Sequence, residues 1–403
     1  MTNDSSIYDD LGVPEVVNAA GTKTRIGGSL IREEAVEAMA DAAEGFARIS
    51  DLQARASELI AEATGAEAGY VASGASAAMT LGAAAAIAGD DLGVMARLPD
   101  TEGAASEIVM ARTHRTGYNH AFRVAGAEIV DVGTNDHHLG TGAANVEPWE
   151  YADAISEETA AVAYVQKPYT QPPLEEVVAV AHDRGVPVIV DAAAELPPVK
   201  NLERFVGMGV DLVAFSGGKA IRGPQSTGFL AGRADLIESA ALQHLDTHAA
   251  DAAWEPPEEL LDVGALDGVP RQGIGRGFKV GKEELAGFIA ALEAFIEEDH
   301  EAVAAEWRDR SERVAEALGG IEGLSTSIAA AEKTAVAPEV VVRVEPSAGV
   351  SAAELVRNLR LEEPQVYVGA DRLGESTFTI NPMCMDDAEA DYVIERVRAN
   401  SGS

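Results

Sequence analysis

Along the first two thirds of the chain, short apolar runs rich in β-branched residues alternate with longer stretches of helical spacing. The runs at 68–72, 107–111, 127–132, 160–165, 186–191, 210–216 and 226–231 predict strands. The stretches at 75–88, 118–125 and 174–184 predict helices, the last ending before Gly185. Strand and helix in alternation is the pattern of an α/β fold with a mainly parallel sheet. The pattern changes after about residue 255. Residues 283–318 are rich in Ala, Glu and Leu at helical spacing and predict one or two long helices. Residues 338–345, 352–360, 364–369, 376–381 and 386–398 then read strand, helix, strand, strand, helix. The layout is an N-terminal arm over 1–30, a large α/β domain over 31–270, and a connecting helix with a small C-terminal α+β domain over 271–403.

Residues 68–89 carry no charge and approach the length of a bilayer span. They are mostly Ala and Gly, and Ser73-Gly74 interrupts them, so a buried strand followed by a buried helix is the better reading. The first ten residues are acidic and polar, without the basic and apolar regions of a targeting peptide. A cytoplasmic protein is expected.

Composition narrows the partners. The 403 residues include 47% hydrophobic ones, enough to bury a substantial core. The only cysteine, Cys384, excludes an intramolecular disulfide framework and a Cys-based zinc site. The formal charge is −37, and only seven of the 30 basic residues are Lys. An acidic, lysine-poor, alanine-rich surface resembles the proteins of salt-loving archaea, a halophilic signature that speaks to solubility more than to ligand choice. The charge disfavours tRNA and anionic membranes. In molar salt, however, the Debye length is only about 3 Å, so an anionic substrate stays open.

Three local motifs carry chemistry. Phe215-Ser216-Gly217-Gly218-Lys219 follows directly on an apolar strand. Ligands of open α/β sheets gather at the carboxyl ends of strands. A lysine there, partly desolvated, has a lowered pKa and forms a Schiff base with a carbonyl. Taken alone it reads equally well as a surface lysine in a glycine turn. Asp191 ends the run 186–191 at the same kind of position; such an acid can keep a pyridine nitrogen protonated, or cap a helix, or bind a metal. Ser73-Gly74-Ala75-Ser76 joins a strand to a helix, where free N–H groups and hydroxyls suit a phosphate or simply cap the helix. In chain order these are a phosphate cradle, an acid for a pyridinium, and a Schiff-base lysine, which together point to pyridoxal 5'-phosphate.

Asn18-Ala19-Ala20-Gly21-Thr22, Gly65-Ala66-Glu67-Ala68, Val190-Asp191-Ala192, Ser216-Gly217-Gly218-Lys219 and Gly223-Pro224-Gln225 resemble the selenocysteine synthase-like group of fold-type I pyridoxal phosphate enzymes. That group includes L-seryl-tRNA selenium transferase and a D-glucosaminate-6-phosphate ammonia-lyase branch. The resemblance runs from about residue 8 to 300 and thins beyond. It implies the fold-type I transferase fold: a large domain with a mainly parallel seven-stranded-type sheet and a small C-terminal α+β domain. It also implies that Lys219 holds the cofactor and Asp191 faces the pyridine nitrogen. Ser73, Gly74, Ala75, Ser76 and Ser216 would hold the phosphate. Gln225 would lie near the cofactor of a second subunit, in a homodimer or a ring of dimers.

A carboxylate or phosphate substrate calls for guanidinium partners, and Arg25, Arg112, Arg222 and Arg276 are the candidates. His114 is a candidate to stack on the ring or relay a proton. Lys279 and Lys282 rival Lys219 but sit at a helix entrance. His137-His138 has no third ligand at metal spacing, so no metal is assigned. The Val190-to-Glu195 run and the Arg112-to-Arg115 loop look closest to the ammonia-lyase branch. A lyase of that kind eliminates across the α and β carbons of a 2-amino-3-hydroxy acid. An amino sugar acid, possibly 6-phosphorylated, would give a 2-keto-3-deoxy acid and ammonia. The alternatives are a selenium transferase-like β-replacement enzyme and a non-catalytic fold-type I subunit.

Overall fold

A computed structural model describes residues 6–133, 146–167, 170–245, 250–329 and 337–402. The chain divides into two compact units, Ile31–Glu298 and a second one made of Met1–Leu30 with Asp299–Ser403.

The larger unit is built on a seven-stranded sheet. In chain order its strands are β2 (Ala68–Ala72), β3 (Glu107–Ala111), β4 (Glu128–Val132), β5 (Thr159–Val165), β6 (Val188–Asp191), β7 (Leu212–Ser216) and β8 (Gly228–Gly232). The number β1 belongs to Val16–Ala19 in the other unit. Their order across the sheet is β2-β8-β7-β6-β5-β3-β4. Only β8 runs against the others. Both faces are covered, so the central strands are apolar on each side. Val109, Val162, Val190 and Val213 face one core with Leu59, Val177, Phe205 and Phe288 from covering helices. Ile108, Ala161, Ile189 and Leu212 face another core with Phe122, Leu236 and the helix Ala75–Ala88. That uncharged helix is buried nearly all round. Its Gly82 lies so near the sheet that an added Cβ would sit 3.3 Å from Leu212 Cδ1. The 68–89 stretch is thus a buried strand and helix, as its composition suggested. Among the described residues, no helix is long and apolar enough to cross a membrane.

The unit boundary differs from the expected one at 270. The helix Lys282–Glu297 sends Leu285, Phe288, Leu292 and Phe295 into the core of the larger unit. The Phe288 ring lies 5.4 Å from that of Phe229 on β8. It is therefore part of the large unit rather than a connector to the small one. The long helical stretch is two helices, Lys282–Glu297 and His300–Gly319, broken where Asp299 caps the second.

In the smaller unit the arm is not a separate piece. Its β1 pairs in parallel with β11 (Gln365–Val368). β9 (Leu324–Ala329), β10 (Glu339–Val344) and β12 (Thr377–Ile380) form an antiparallel sheet. Asn18 fixes the turn after β1: its amide donates to the Gly21 and Gly28 carbonyls and its oxygen accepts from the Ala20 N–H.

Candidate active site

The sheet register itself assembles the site. Ala72 and Ser216 both pair with Gly228, Asp191 pairs with Ala214 on one side and Val165 on the other. The carboxyl ends of β2, β7, β6, β5 and β3 therefore lie along one edge. Ser73–Ser76, Ser216–Lys219, Asp191 and the loop from Arg112 to His114 all leave from that edge.

Backbone approach shapes the first part of it. Gly74 has φ +104°, a conformation that favours glycine, and a Cβ there would meet nothing within 4 Å. Gly74 also caps the helix Ala75–Ala88, and no side chain occupies that cap. At the N-terminus of this long helix Ser73 is half-buried and Ser76 is exposed. Gly228 supports it from behind: a Cβ there would lie 2.2 Å from Ala75 N.

The lysine turn is held just as tightly. Gly217 N–H donates to Thr227 O, and Gly223 N–H donates to Gly217 O, each at 2.9 Å. Arg222 N–H donates to Lys219 O at 3.1 Å. A Cβ on Gly217 would lie 2.4 Å from Thr227 Oγ1, and one on Gly218 2.5 Å from Gln225 Cα. Lys219 and Gln225 are both half-buried in this turn. Arg222 takes a left-handed φ of 59°, and its side chain is exposed.

Charge shapes the second part. Asp191, the last residue of β6, is half-buried. Its Oδ1 accepts from the Ala193 N–H at 3.0 Å, and its carbonyl from the Gln166 N–H at 3.0 Å. Beside it lies an ion pair not anticipated from the sequence: Lys167 Nζ donates to Glu195 Oε1 at 2.9 Å. The Glu195 side chain is 3% exposed and that of Lys167 34%. Burial raises the Glu195 carboxyl pKa above its usual range, Lys167 and Arg204 oppose the rise, and Asp191 adds to it. The signal was available, since Lys167 stands two residues past β5 just as Lys219 stands three past β7.

His114 is buried. Its Nε2–H donates to Gln171 O at 2.9 Å, and its ring meets that of Tyr164 edge-on at 4.6 Å. Nδ1 has no hydrogen-bond partner among the described residues. Burial lowers the His114 pKa against the opposing pull of the Gln171 carbonyl.

The arginines are scattered. Arg112 is 57% exposed and lies 3.9 Å from Asp131, to which Arg115 also pairs. Arg276 is half-buried in the turn Ile274–Phe278, beside His244. That turn joins the phosphate-side segment through Ser73 N–H, which donates to Phe278 O. Arg25 stands exposed in the turn Thr24–Ile26 of the smaller unit. Among the described residues no cluster of three His, Cys, Asp or Glu side chains could hold a metal. His137 and His138 lie outside the described residues.

A doubly covered, mainly parallel sheet with lysine, acid and helix N-terminus on one edge is the plan of a fold-type I protein. The aminotransferase class-V family matches residues 116–264. A D-glucosaminate-6-phosphate ammonia lyase of Salmonella typhimurium is 33% identical, across 98% of this chain and 97% of its own. The solved structure of a D-glucosaminate-6-phosphate ammonia-lyase superposes with a TM-score of 0.80 at 31% identity, covering 100% of this chain and 99% of the other. A 5'-C-glycyluridine monooxygenase-decarboxylase of Streptomyces is 32% identical across 97% of this chain and 90% of its own. An L-seryl-tRNA(Sec) selenium transferase of Nitratidesulfovibrio vulgaris is 25% identical across 96% and 82%. The chain belongs to the D-glucosaminate-6-phosphate ammonia-lyase family, within the selenocysteine synthase-like group. The likeness runs the length of the chain, past residue 300 where the recognisable motifs thin out.

Proposed function

We propose that the protein is a pyridoxal phosphate-dependent ammonia-lyase. Its substrate is a 2-amino-3-hydroxy acid of the amino sugar acid class, with or without a terminal phosphate. The observation that carries this reading is the single sheet edge that gathers Ser73–Ser76, Asp191, Ser216 and Lys219.

The residues present fit the cofactor. The helix N-terminus, capped by Gly74 with no side-chain hydrogen bond, and the Ser73, Ser76 and Ser216 hydroxyls suit a phosphate. Half-buried Asp191 suits a protonated ring nitrogen, and Lys219 Nζ an aldehyde. When bound, pyridoxal phosphate supplies the electron sink that makes a substrate Cα proton acidic.

The chain's own groups do the rest. Lys219 Nζ would hold the cofactor and would be the base that takes the Cα proton and hands it to the departing β-hydroxyl. His114 holds its face of the site through Gln171, and its neutral form would offer Nδ1 as an acceptor. Arg112, Arg222, Arg276 and Arg25 are the candidate holders of the substrate's anionic groups. The β-hydroxyl and the Cα proton leave as water. The released enamine then takes up water and gives ammonia and a 2-keto-3-deoxy acid, so the net change is loss of ammonia. A homodimer or a ring of dimers, with Gly223-Pro224-Gln225 near the contact, completes this reading.

A panel of 3-hydroxy amino acids and amino sugar acids, with and without phosphate, tests it. Stoichiometric ammonia and 2-keto acid without oxygen uptake are expected. Oxygen-dependent decarboxylation would instead move the protein toward the Streptomyces relative, and turnover of seryl-tRNA alone toward β-replacement.

A further inference from the structure

The turn that carries Lys219 is gripped by a buried side chain that the mechanism just described does not use. Arg32 stands directly before the helix Glu33–Ala43 and is 7% exposed. Its backbone N–H donates to Arg222 O at 2.9 Å, and its Nε–H donates to Ile221 O at 2.8 Å. Its two terminal nitrogens donate to the two carboxylate oxygens of Glu298, at 2.8 and 3.0 Å. Glu298 follows directly on the helix Lys282–Glu297, and the guanidinium lies over the ring of Phe295 in that helix, 5.8 Å from its centre. One arginine therefore ties three stretches of the larger unit together: its own helix start, the end of a distant helix and the lysine turn.

The two carbonyls it holds are not arbitrary ones. Ile221 O belongs to the peptide group before Arg222, and Arg222 O to the peptide group after it. Fixing both planes fixes the φ and ψ of Arg222, which stands at φ 59°. An arginine is disfavoured in that left-handed region, and such a residue persists where its surroundings over-determine it. Arg222 N–H in turn donates to Lys219 O, and Gly223 N–H to Gly217 O, so the conformation of Arg222 sets the closure of the whole turn.

A buried ion pair adds little stability over apolar residues of the same size, because both charges lose their hydration. What a guanidinium supplies is direction, a planar and rigid fork of donors. With two of its nitrogens set on Glu298, the Nε–H has one orientation left, and it meets Ile221 O. We propose that Arg32 is a positioning residue: anchored on Glu298, it fixes both peptide groups that flank Arg222 and so sets where Lys219 stands at the sheet edge. The proposal rests on the reading that Lys219 holds the cofactor.

The test separates direction from stability. Arg32→Met/Glu298→Met replaces the ion pair by apolar side chains and removes the fork. Three quantities are compared with wild type: urea unfolding, hydrogen exchange of the peptide 217–223 in protein free of cofactor, and the rate at which added pyridoxal phosphate with borohydride labels Lys219. The unfolding midpoint should stay near that of wild type, while the Arg222 and Gly223 amides exchange about tenfold faster and Lys219 is labelled about tenfold more slowly. Wild-type exchange and labelling in the folded double variant overturn the proposal. If the double variant does not fold, Arg32→Lys decides alone. It keeps a charge opposite Glu298 but not the fork, so the same faster exchange and slower labelling are expected, and wild-type values of both overturn the proposal. Wild-type protein labelled on another lysine, or not at all, would instead refute the cofactor reading, and the exchange rates would still judge the grip of Arg32 on the turn.

Discussion

The two parts of the sheet edge are made from different materials. On the β2-β8-β7 side, glycines let the chain pack closely: Gly228 against the Ala75 backbone, Gly218 against the Gln225 backbone, Gly217 against the Thr227 hydroxyl. On the β6-β5 side, side-chain charge does the shaping, through Asp191, Glu195 and Lys167. On the first side an added Cβ at Gly217, Gly218 or Gly228 would collide with its neighbours, and fixed N–H groups are what an anion such as phosphate would need there. The second side depends on buried charge, since Glu195 is 3% exposed and pairs with Lys167. Substitutions should therefore fail by steric strain on one side and by pH on the other.

Lys219→Ala joins both sides, and its effect should be the largest. Ammonia release should fall by at least about a thousandfold while the fold survives, as circular dichroism would show. Gly228→Ala comes next. It places a Cβ 2.2 Å from Ala75 N, so about 1–3 kcal/mol of stability and most cofactor retention should be lost in urea unfolding and absorbance. Gly232→Ala at the other end of β8 is the matched control. Its Cβ would lie 1.9 Å from Asp211 O, so stability should drop as well, but cofactor retention in the folded fraction should not.

A pH effect separates the buried histidines from the carboxylates. Burial pushes His244, bonded at Nδ1 to the Tyr70 hydroxyl, down to about 4 from 6.5. The unfolded chain then binds the extra proton first. Stability from this group is full above about 6.5, declines as pH falls toward about 4 and is constant below. Unfolding of His244→Asn at pH 7 and pH 5 should show a smaller loss between the two than wild type. The smallest effect on stability belongs to Arg112→Gln, whose ion pair with Asp131 is exposed. It should change stability by less than about 0.5 kcal/mol. A raised KM for an anionic substrate would place Arg112 in the substrate site, and an unchanged one would exclude it.

Much of this architecture was legible from apolar periodicity. The strands at 68–72 and 107–111 and the helix 75–88 fall where the pattern puts them, because their side chains are buried on both faces or all round. The edge strand Leu324–Ala329 was not legible: Leu-Ser-Thr-Ser-Ile-Ala is mostly exposed and lacks an apolar run. The helix Lys282–Glu297 was visible as a helix, but its allegiance was set by Phe288 and Leu292 meeting a distant core. The positions of Asp191 at the end of β6 and of Lys219 three residues past β7 were legible, because both strands are buried apolar runs. Lys167–Glu195 was not, because a pair 28 residues apart becomes a pair only through the β5–β6 register.

Borohydride reduction of the holoenzyme, followed by peptide mass mapping, tests the central claim most directly. The account requires one pyridoxyl group per chain, on Lys219, lost in Lys219→Ala. A label on Lys167, Lys279 or Lys282, or none at all, would contradict it.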